Sequence, residues 1–362
     1  MNRKLRVGVI GAGNILWQHV GGYKQAGDLC EVVAIAKRNA DEATRTKLNE
    51  LFGHEMPVYA DYKELLARDD IDAVDILTPH DLHMPMTIAA ARSGKHVLVE
   101  KPMARNVYEC DRMIEACEAA GVSLYVCHDR RYGREWAAIK EIVDSGVLGE
   151  IFYLKLEHNH DVDLPQGHWI RSYDQLGGGA VISCLCHQID GLRWFGGEVE
   201  TVASMTKTLP ARMEGETVGE LLMTMKNGAL ANVSINWFTP ASVSGGGLWC
   251  ELVHICGDRG EVYYKDGPLY CKLHGGAEFS MSGAYNLLPA DGGFTKIEPK
   301  DRHGGVSRCV LEWIKALRGE GGLMVTPGRD ARKTVEVAEA AYLSEKSRRF
   351  VTLPIEPVAW GS

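Results

Sequence analysis

The first third of the chain alternates between short apolar runs and stretches of helical spacing. Runs at residues 5–10, 31–36, 58–59, 71–77, 96–100 and 122–126 read as buried strands, rich in Val and Ile. Helical patterns fall between them at residues 14–26, 41–51, 62–66, 83–92 and 107–120. Strands separated by helices of this length predict βαβ units and a parallel sheet with right-handed crossovers. After about Cys127 the pattern changes. One amphipathic helix (residues 135–143) leads to a long strand at residues 151–158, and from Val199 onward most segments alternate apolar with polar. Turns such as Lys226-Asn227-Gly228 and Asp258-Arg259-Gly260 separate these segments, which predicts an antiparallel meander with one buried face. Two helices, at residues 306–317 and 328–347, follow it.

This pattern sets the fold class as α/β: a parallel-sheet domain over residues 1–127, then an α+β domain over residues 128–362. A length of 362 residues suits two domains, and 45% apolar with 24% charged residues is the composition of a globular protein. A net charge of -8 argues against nonspecific binding to nucleic acid or an anionic membrane. Ten cysteines without a framework spacing point to thiols in a reducing compartment. Met1-Asn2-Arg3-Lys4 runs straight into the first strand without the apolar region of a signal peptide, so a cytoplasmic protein is expected.

Candidate chemistry lies at the strand ends. Gly11-Ala12-Gly13 follows the first strand and opens a helix, the context in which a Gly-x-Gly cradles a pyrophosphate on new helical N–H groups. The third fingerprint position is Leu16, not glycine. Asn14 and Ile15 belong to the same loop. After the second strand the chain reads Lys37-Arg38, where an acidic residue would take the ribose hydroxyls of NAD. Two cations there would pair with a 2′-phosphate, so NADP(H) is expected over NAD(H). Thr78-Pro79 breaks the chain after the fourth strand, ahead of His83. His96-Val97-Leu98-Val99-Glu100-Lys101-Pro102 delivers Lys101 to the C-terminal edge of the sheet, where such folds bind ligands.

In the second domain Gly177-Gly178-Gly179 opens a helix carrying Ser183, His187 and Asp190 at i, i+4 and i+7, hence on one face. A core helix would put Leu or Val there, so three polar groups are either solvent-facing or gathered at a site. Were the dinucleotide to exchange a hydride with a secondary alcohol, the reaction would need a proton acceptor and a group to steady the alkoxide. His187 suits the first role and Lys101 the second, while Asp190 would orient the imidazole or bind a substrate hydroxyl. His158, Trp169 and Arg171 fit the wall of a substrate pocket, with Trp169 as a stacking surface and Arg171 as a donor. Arg130 and Tyr132 either reach the substrate or brace the hinge. No ligand pair has a zinc spacing, so no metal is expected.

The ordered series Gly11-x-Gly13-x-Ile15 with His19, Thr78-Pro79 with His83, Gly94-Lys95-His96 through Pro102, Arg130-Arg131-Tyr132, Gly146 to Ile151, Trp169-x-Arg171 and Gly177-Gly178-Gly179 resembles the Gfo/Idh/MocA oxidoreductases. So does the tail from Arg348 to Pro354. The resemblance implies a Rossmann dinucleotide-binding domain over residues 1–127 and a second domain built on a large open, mainly antiparallel sheet, often an oligomer interface, hence a homodimer or homotetramer. It also implies a nicotinamide between the domains with a small carbohydrate or cyclitol above it, Glu100 and His83 belonging to the cofactor side. The family carries an Asp where this chain has Ser183, a departure consistent with a changed substrate. Two other activities fit the same parts: glycoside cleavage through transient ring oxidation and elimination, and a non-catalytic sensor of sugar or dinucleotide.

Overall fold

A computed structural model describes residues 3–209, 212–239, 249–300, 304–322 and 326–361; Trp249 is described by its backbone alone. Met1 and Asn2, at the head of the segment read as entering the first strand, lie outside the described residues. In chain order the elements begin β1 (Leu5–Ile10), α1 (Leu16–Ala26), β2 (Cys30–Ala36), α2 (Glu42–Phe52), β3 (Val58–Tyr59), α3 (Tyr62–Leu66), β4 (Ala73–Ile76), α4 (His83–Arg92), β5 (His96–Glu100), α5 (Val107–Ala119) and β6 (Leu124–Cys127). There follow α6 (Arg134–Asp144), β7 (Ile151–His160), α7 (Tyr173–Leu176), α8 (Cys186–Gly196), β8 (Val199–Lys207), β9 (Val218–Met225), β10 (Leu230–Asn236), β11 (Trp249–Gly257), β12 (Gly260–Lys265) and β13 (Leu269–Leu273). Last come β14 (Tyr285–Pro289), β15 (Thr295–Pro299), α9 (Gly305–Arg318), α10 (Gly328–Ser347) and β16 (Val351–Thr352).

The first compact unit holds the described residues up to Tyr132, Gly304–Lys333 and the chain from Val358 on. Its six strands lie in the order β3-β2-β1-β4-β5-β6, every pair parallel, as the strand–helix alternation predicts. Helix starts follow local capping chemistry: Asp41 accepts from the Thr44 N–H ahead of α2, and Asn106 from the Glu109 N–H ahead of α5. The core packs Val7, Val9, Ile35 and Leu98 of the strands with Leu16 and Val20 of α1. Val306, Val310, Trp313 and Ile314 of α9 belong to the same cluster. The sequence reading leaves α9 among the late elements; the structure packs it on α1. Gly22 permits this, since a Cβ there would stand 2.5 Å from the Ser307 carbonyl, and Ser307 Oγ donates to the Gln18 carbonyl at 2.8 Å.

The second unit holds Thr334–Pro357 and the described residues between Gly133 and Lys300. A ten-stranded sheet runs β14-β15-β13-β12-β11-β7-β10-β9-β8-β16. It is antiparallel except that β7 and β10 pair in parallel, a neighbour relation the alternating pattern does not reveal. Strand alternation turns Leu154, Leu156, Leu221, Met223, Val233, Val253, Ile255 and Val262 into the core. The amphipathic α6 buries Trp136, Ile139 and Ile142, each such apolar side chain stabilising the fold by about 1.5–3 kcal/mol. Trp136 fits because Gly191 of α8 has no Cβ, which would come within 2.1 Å of the indole. Among the described residues no helix is long and apolar enough to cross a membrane.

Candidate active site

Because all strands of the first unit run parallel, their C-terminal ends share one edge. The strand order reverses between β1 and β4, the place where a doubly wound sheet leaves a ligand crevice. The structure brings Gly11 to Ile15, Lys37 with Arg38, Thr78 with Pro79, and Glu100 with Lys101 to that edge, at the ends of β1, β2, β4 and β5. His83 stands apart from them in kind. It is fully buried, with ring nitrogens 2.9 Å from the Thr78 carbonyl and 3.0 Å from the Pro102 carbonyl. Burial pushes its imidazole pKa down, against the pull of those two carbonyls. It ties the turn after β4 to the turn after β5.

The two loop glycines do different work. Gly11 has φ of 104°, and a Cβ there would fall 2.3 Å from the Leu77 carbonyl, so the close approach of the chain just past the ends of β1 and β4 requires glycine. Among the described residues a Cβ at Gly13 would meet nothing within 4 Å. That open space lies at the start of α1, where backbone N–H groups can take a pyrophosphate. Beside it Thr78 Oγ1 is buried without a hydrogen-bond partner among the described residues. A dinucleotide fits this donor set. Lys37 Nζ donates to the Ala12 carbonyl of the same loop at 3.3 Å, and Arg38 is exposed.

Beneath Lys101 lies a buried polar chain. Tyr23 donates to Asp75 Oδ2 at 2.6 Å, His19 Nδ1 lies 2.7 Å from the same oxygen, and His19 Nε2 lies 3.0 Å from Glu100 Oε1. The other Glu100 oxygen accepts from the Lys101 backbone N–H at 3.2 Å. Burial works against a charged His19, but the Asp75 carboxylate outweighs it and holds the imidazole pKa well above its usual value. Burial would likewise raise Glu100; the His19 hydrogen bond and charge and the Lys101 ammonium hold it below the usual carboxylate range. Tyr23 and Asp75 carry no role in the sequence reading. The available signal is a lone acid inside the apolar run Ala73-Val74-Asp75-Ile76-Leu77, together with His19 and Tyr23 at i and i+4 on the buried side of α1.

In the second unit the turn Gly177-Gly178-Gly179 packs closely on protein. A Cβ at Gly179 would stand 2.1 Å from the Glu216 carbonyl, and Glu216 accepts from the Val181 N–H at 2.9 Å and the Tyr342 hydroxyl at 2.8 Å. This buried carboxylate caps the helix start. The helix itself opens with a π-helical turn, Val181–Leu185, before α8. Uniform α spacing from Ser183 to His187 is therefore corrected to a wider winding, a feature often found at functional sites. Ser183, His187 and Asp190 are all buried nonetheless. Asp190 Oδ1 accepts from Thr334 Oγ1 at 3.2 Å, and Thr334 also takes Arg193 at 2.9 Å.

His158 of β7 lies beside this helix, its ring centroid 6.4 Å from that of His187. His158 Nε2 is 3.1 Å from His160 Nδ1, and Gln188 bridges toward His158 and Glu251. Trp169 stacks beside His168, and Arg171 donates to the Leu164 carbonyl at 2.9 Å. The first unit keeps Arg130 half-buried and Tyr132 inside its core, with Arg131 paired to Asp330 at 2.7 Å.

Residues 5–128 match the family model described as an oxidoreductase family with an NAD-binding Rossmann fold, and residues 136–263 match the GFO/IDH/MocA C-terminal domain. D-apiose dehydrogenase of Paraburkholderia graminis is 27% identical over 354 residues, covering 97% of this chain and 90% of that protein. A dTDP-3,4-didehydro-2,6-dideoxy-alpha-D-glucose 3-reductase of Actinomadura kijaniata is 33% identical over 231 residues, covering 64% and 68%. Among solved structures, the WlbA dehydrogenase of Bordetella pertussis, in complex with NADH and UDP-GlcNAcA, superposes with a TM-score of 0.78. It is 25% identical, covering 98% of this chain and all of that one.

Proposed function

The chain belongs to the Gfo/Idh/MocA oxidoreductases, and on that premise we propose that it is a dehydrogenase or reductase acting on a secondary hydroxyl or ketone of a sugar, sugar derivative or cyclitol, with NADP(H) preferred to NAD(H). A nicotinamide bound at the edge of the first unit supplies the hydride acceptor or donor. The chain's own residues manage charge and proton. Lys101 steadies the developing alkoxide, worth on the order of 3 kcal/mol for one well-placed donor. His187 takes the hydroxyl proton in oxidation and returns it in reduction, with Asp190 orienting the imidazole or holding a neighbouring hydroxyl. His158, Trp169, Arg171 and Ser183 serve the substrate, with Arg130 and Tyr132 bracing or contacting it.

One observation carries this reading: the lysine that ends β5 has its backbone N–H fixed by Glu100, and Glu100 is fixed by His19. An ordinary solvated lysine needs no such buried support. The cofactor preference is supported by the two cations after β2 and by exposed Arg38, which suits the fork geometry of a phosphate. Ser183 in place of the family's Asp supports a substrate other than the usual polyol.

A homo-oligomer through the sheet of the second unit belongs to the same proposal. Met205, Leu222 and Leu230 are 72%, 58% and 58% exposed on β8, β9 and β10. Their register puts them on the solvent face, an apolar patch of the kind that marks an interface. Light scattering of the purified chain reads the subunit number, and a monomer at micromolar concentration refutes this part.

The activity is tested by following nicotinamide absorbance with NAD and NADP side by side against aldoses, inositols and glycosides. The expected result is turnover of at least one member, with higher kcat/KM for NADP. Product formation without net cofactor turnover would favour transient oxidation and elimination instead.

A further inference from the structure

A second cluster of chemistry lies on β11 and β12 of the second unit's sheet, on residues the proposed reaction does not use. On β11, His254 and Cys256 stand two residues apart and so share a face. Across the ladder Glu261 of β12 is the register partner of Cys256, and Tyr263 is that of His254. Three donor atoms of different kinds converge there. His254 Nε2 lies 2.7 Å from Glu261 Oε2 and 3.2 Å from Cys256 Sγ. All three ligand atoms lie within 4.8 Å of one another.

The surroundings suit an ion with an open coordination position. His254 and Glu261 line a cavity of about 690 Å³, whose walls include Tyr263, Tyr270, Asp291 and Phe294. The aromatic wall is organised: His254 meets Tyr263 edge-on at 5.6 Å, and Tyr270 meets Phe294 at 6.3 Å. Two cations face the cluster across the ladders: Lys155 of β7, opposite His254, lies 3.7 Å from Glu157, and Lys272 of β13, opposite Glu261, lies over the Phe294 ring at 5.0 Å. A bound dication deprotonates a coordinating thiol outright.

We propose that His254, Cys256 and Glu261 form a zinc-type divalent-metal site whose fourth position opens into the aromatic cavity. One nitrogen, one thiolate and one carboxylate are borderline donors that suit Zn²⁺, and their two negative charges balance the ion. Three protein ligands with a free position are the pattern of a site that takes water or an anionic oxygen donor; a closed structural site would use four. The site is independent of the hydride-transfer reading.

The test uses the full-length chain and metal alone. Titration with Co²⁺ is expected to give one equivalent bound, with a thiolate-to-cobalt charge-transfer band, and Zn²⁺ is expected to displace it. Cys256→Ser abolishes the band, and His254→Asn weakens binding by tenfold or more with unchanged circular dichroism. Cys184→Ser serves as control, since His158, His160 and Cys184 make another close donor group. Absence of stoichiometric binding overturns the proposal. So does a band that survives Cys256→Ser, whether or not Cys184→Ser removes it.

Discussion

His19 Nε2 stands 3.0 Å from Glu100 Oε1 while its Nδ1 stands 2.7 Å from Asp75 Oδ2, so one buried imidazole is clamped between two carboxylates. Asp75 Oδ1 has no partner among the described residues, which makes the ring the main compensation for that buried charge. Removing one member of a buried charge pair costs about 3–5 kcal/mol, because the other is left uncompensated. His19→Gln is expected to lower stability by this amount in urea unfolding followed by circular dichroism. A loss under 1 kcal/mol would mean that the pair carries little charge.

The same clamp fixes a pH dependence. The folded pKa of His19 is raised above its ordinary 6.5, so its contribution is complete below that value and is lost as pH rises through the folded pKa. Glu100 is held below its ordinary 4.5, so its contribution is present above that value and is lost as pH falls through the folded pKa. Both act fully between about pH 4.5 and 6.5. Melting temperature measured across pH is expected to fall on either side of this window. Glu100→Gln should flatten the acid limb and His19→Gln the alkaline one. Unchanged limbs in both variants would remove the linkage.

The two loop glycines separate folding from binding. Gly11→Ala forces a Cβ against the Leu77 carbonyl at a positive φ, and strain of about 1–3 kcal/mol is expected in the melting temperature before any ligand is added. At Gly13 the Cβ of a valine has no atom of the described residues within 4 Å, so the stability of Gly13→Val should match the parent. Its affinity for NADPH, followed by nicotinamide fluorescence, should drop at least tenfold as the side chain fills the pyrophosphate cradle. Equal NADPH binding in Gly13→Val would show that the dinucleotide does not use this loop.

The proposed preference for NADP(H) rests on the residues after β2. Lys37 is partly engaged with the Ala12 carbonyl, which leaves exposed Arg38 as the freer cation for a 2′-phosphate. Arg38→Ala is expected to lower kcat/KM for NADP by about tenfold, near 1.4 kcal/mol, with NAD changed by less than twofold. A parallel loss with both cofactors would assign Arg38 a role unrelated to the phosphate.

Much of this architecture is legible because strand ends carry punctuation. Gly11, Thr78-Pro79 and Lys101-Pro102 each stop an apolar run with residues that cannot continue it, and those stops are the edge on which the candidate site sits. Pairing partners are less legible. The apolar stripe of α9 declares a helix with one buried face but says nothing about α1 as its neighbour, since that contact depends on Gly22 and Ser307 nearly 300 positions apart. The parallel β7–β10 pair is hidden for the same reason: alternation sets which face is buried and leaves the neighbour undetermined. Ser183 shows a third limit. Spacing counts residues at 3.6 per turn, and the π-helical turn over Val181–Leu185 departs from that count.

The assignment of chemistry to Lys101 and His187 makes a prediction about coupling. Lys101→Met removes an ammonium of the kind worth about 10²–10³ in kcat, and His187→Asn a general base worth about 10²–10⁴. NADPH binding should persist in both, so kcat falls with the dissociation constant nearly unchanged. Groups that serve one oxygen act as a unit, and their losses are far from additive. The double variant is therefore expected to lose little more than the worse single one. A double variant slower by the full product of the two losses would mean that the residues act independently, and the shared-oxygen reading would fail while cofactor binding at the β1 loop stood.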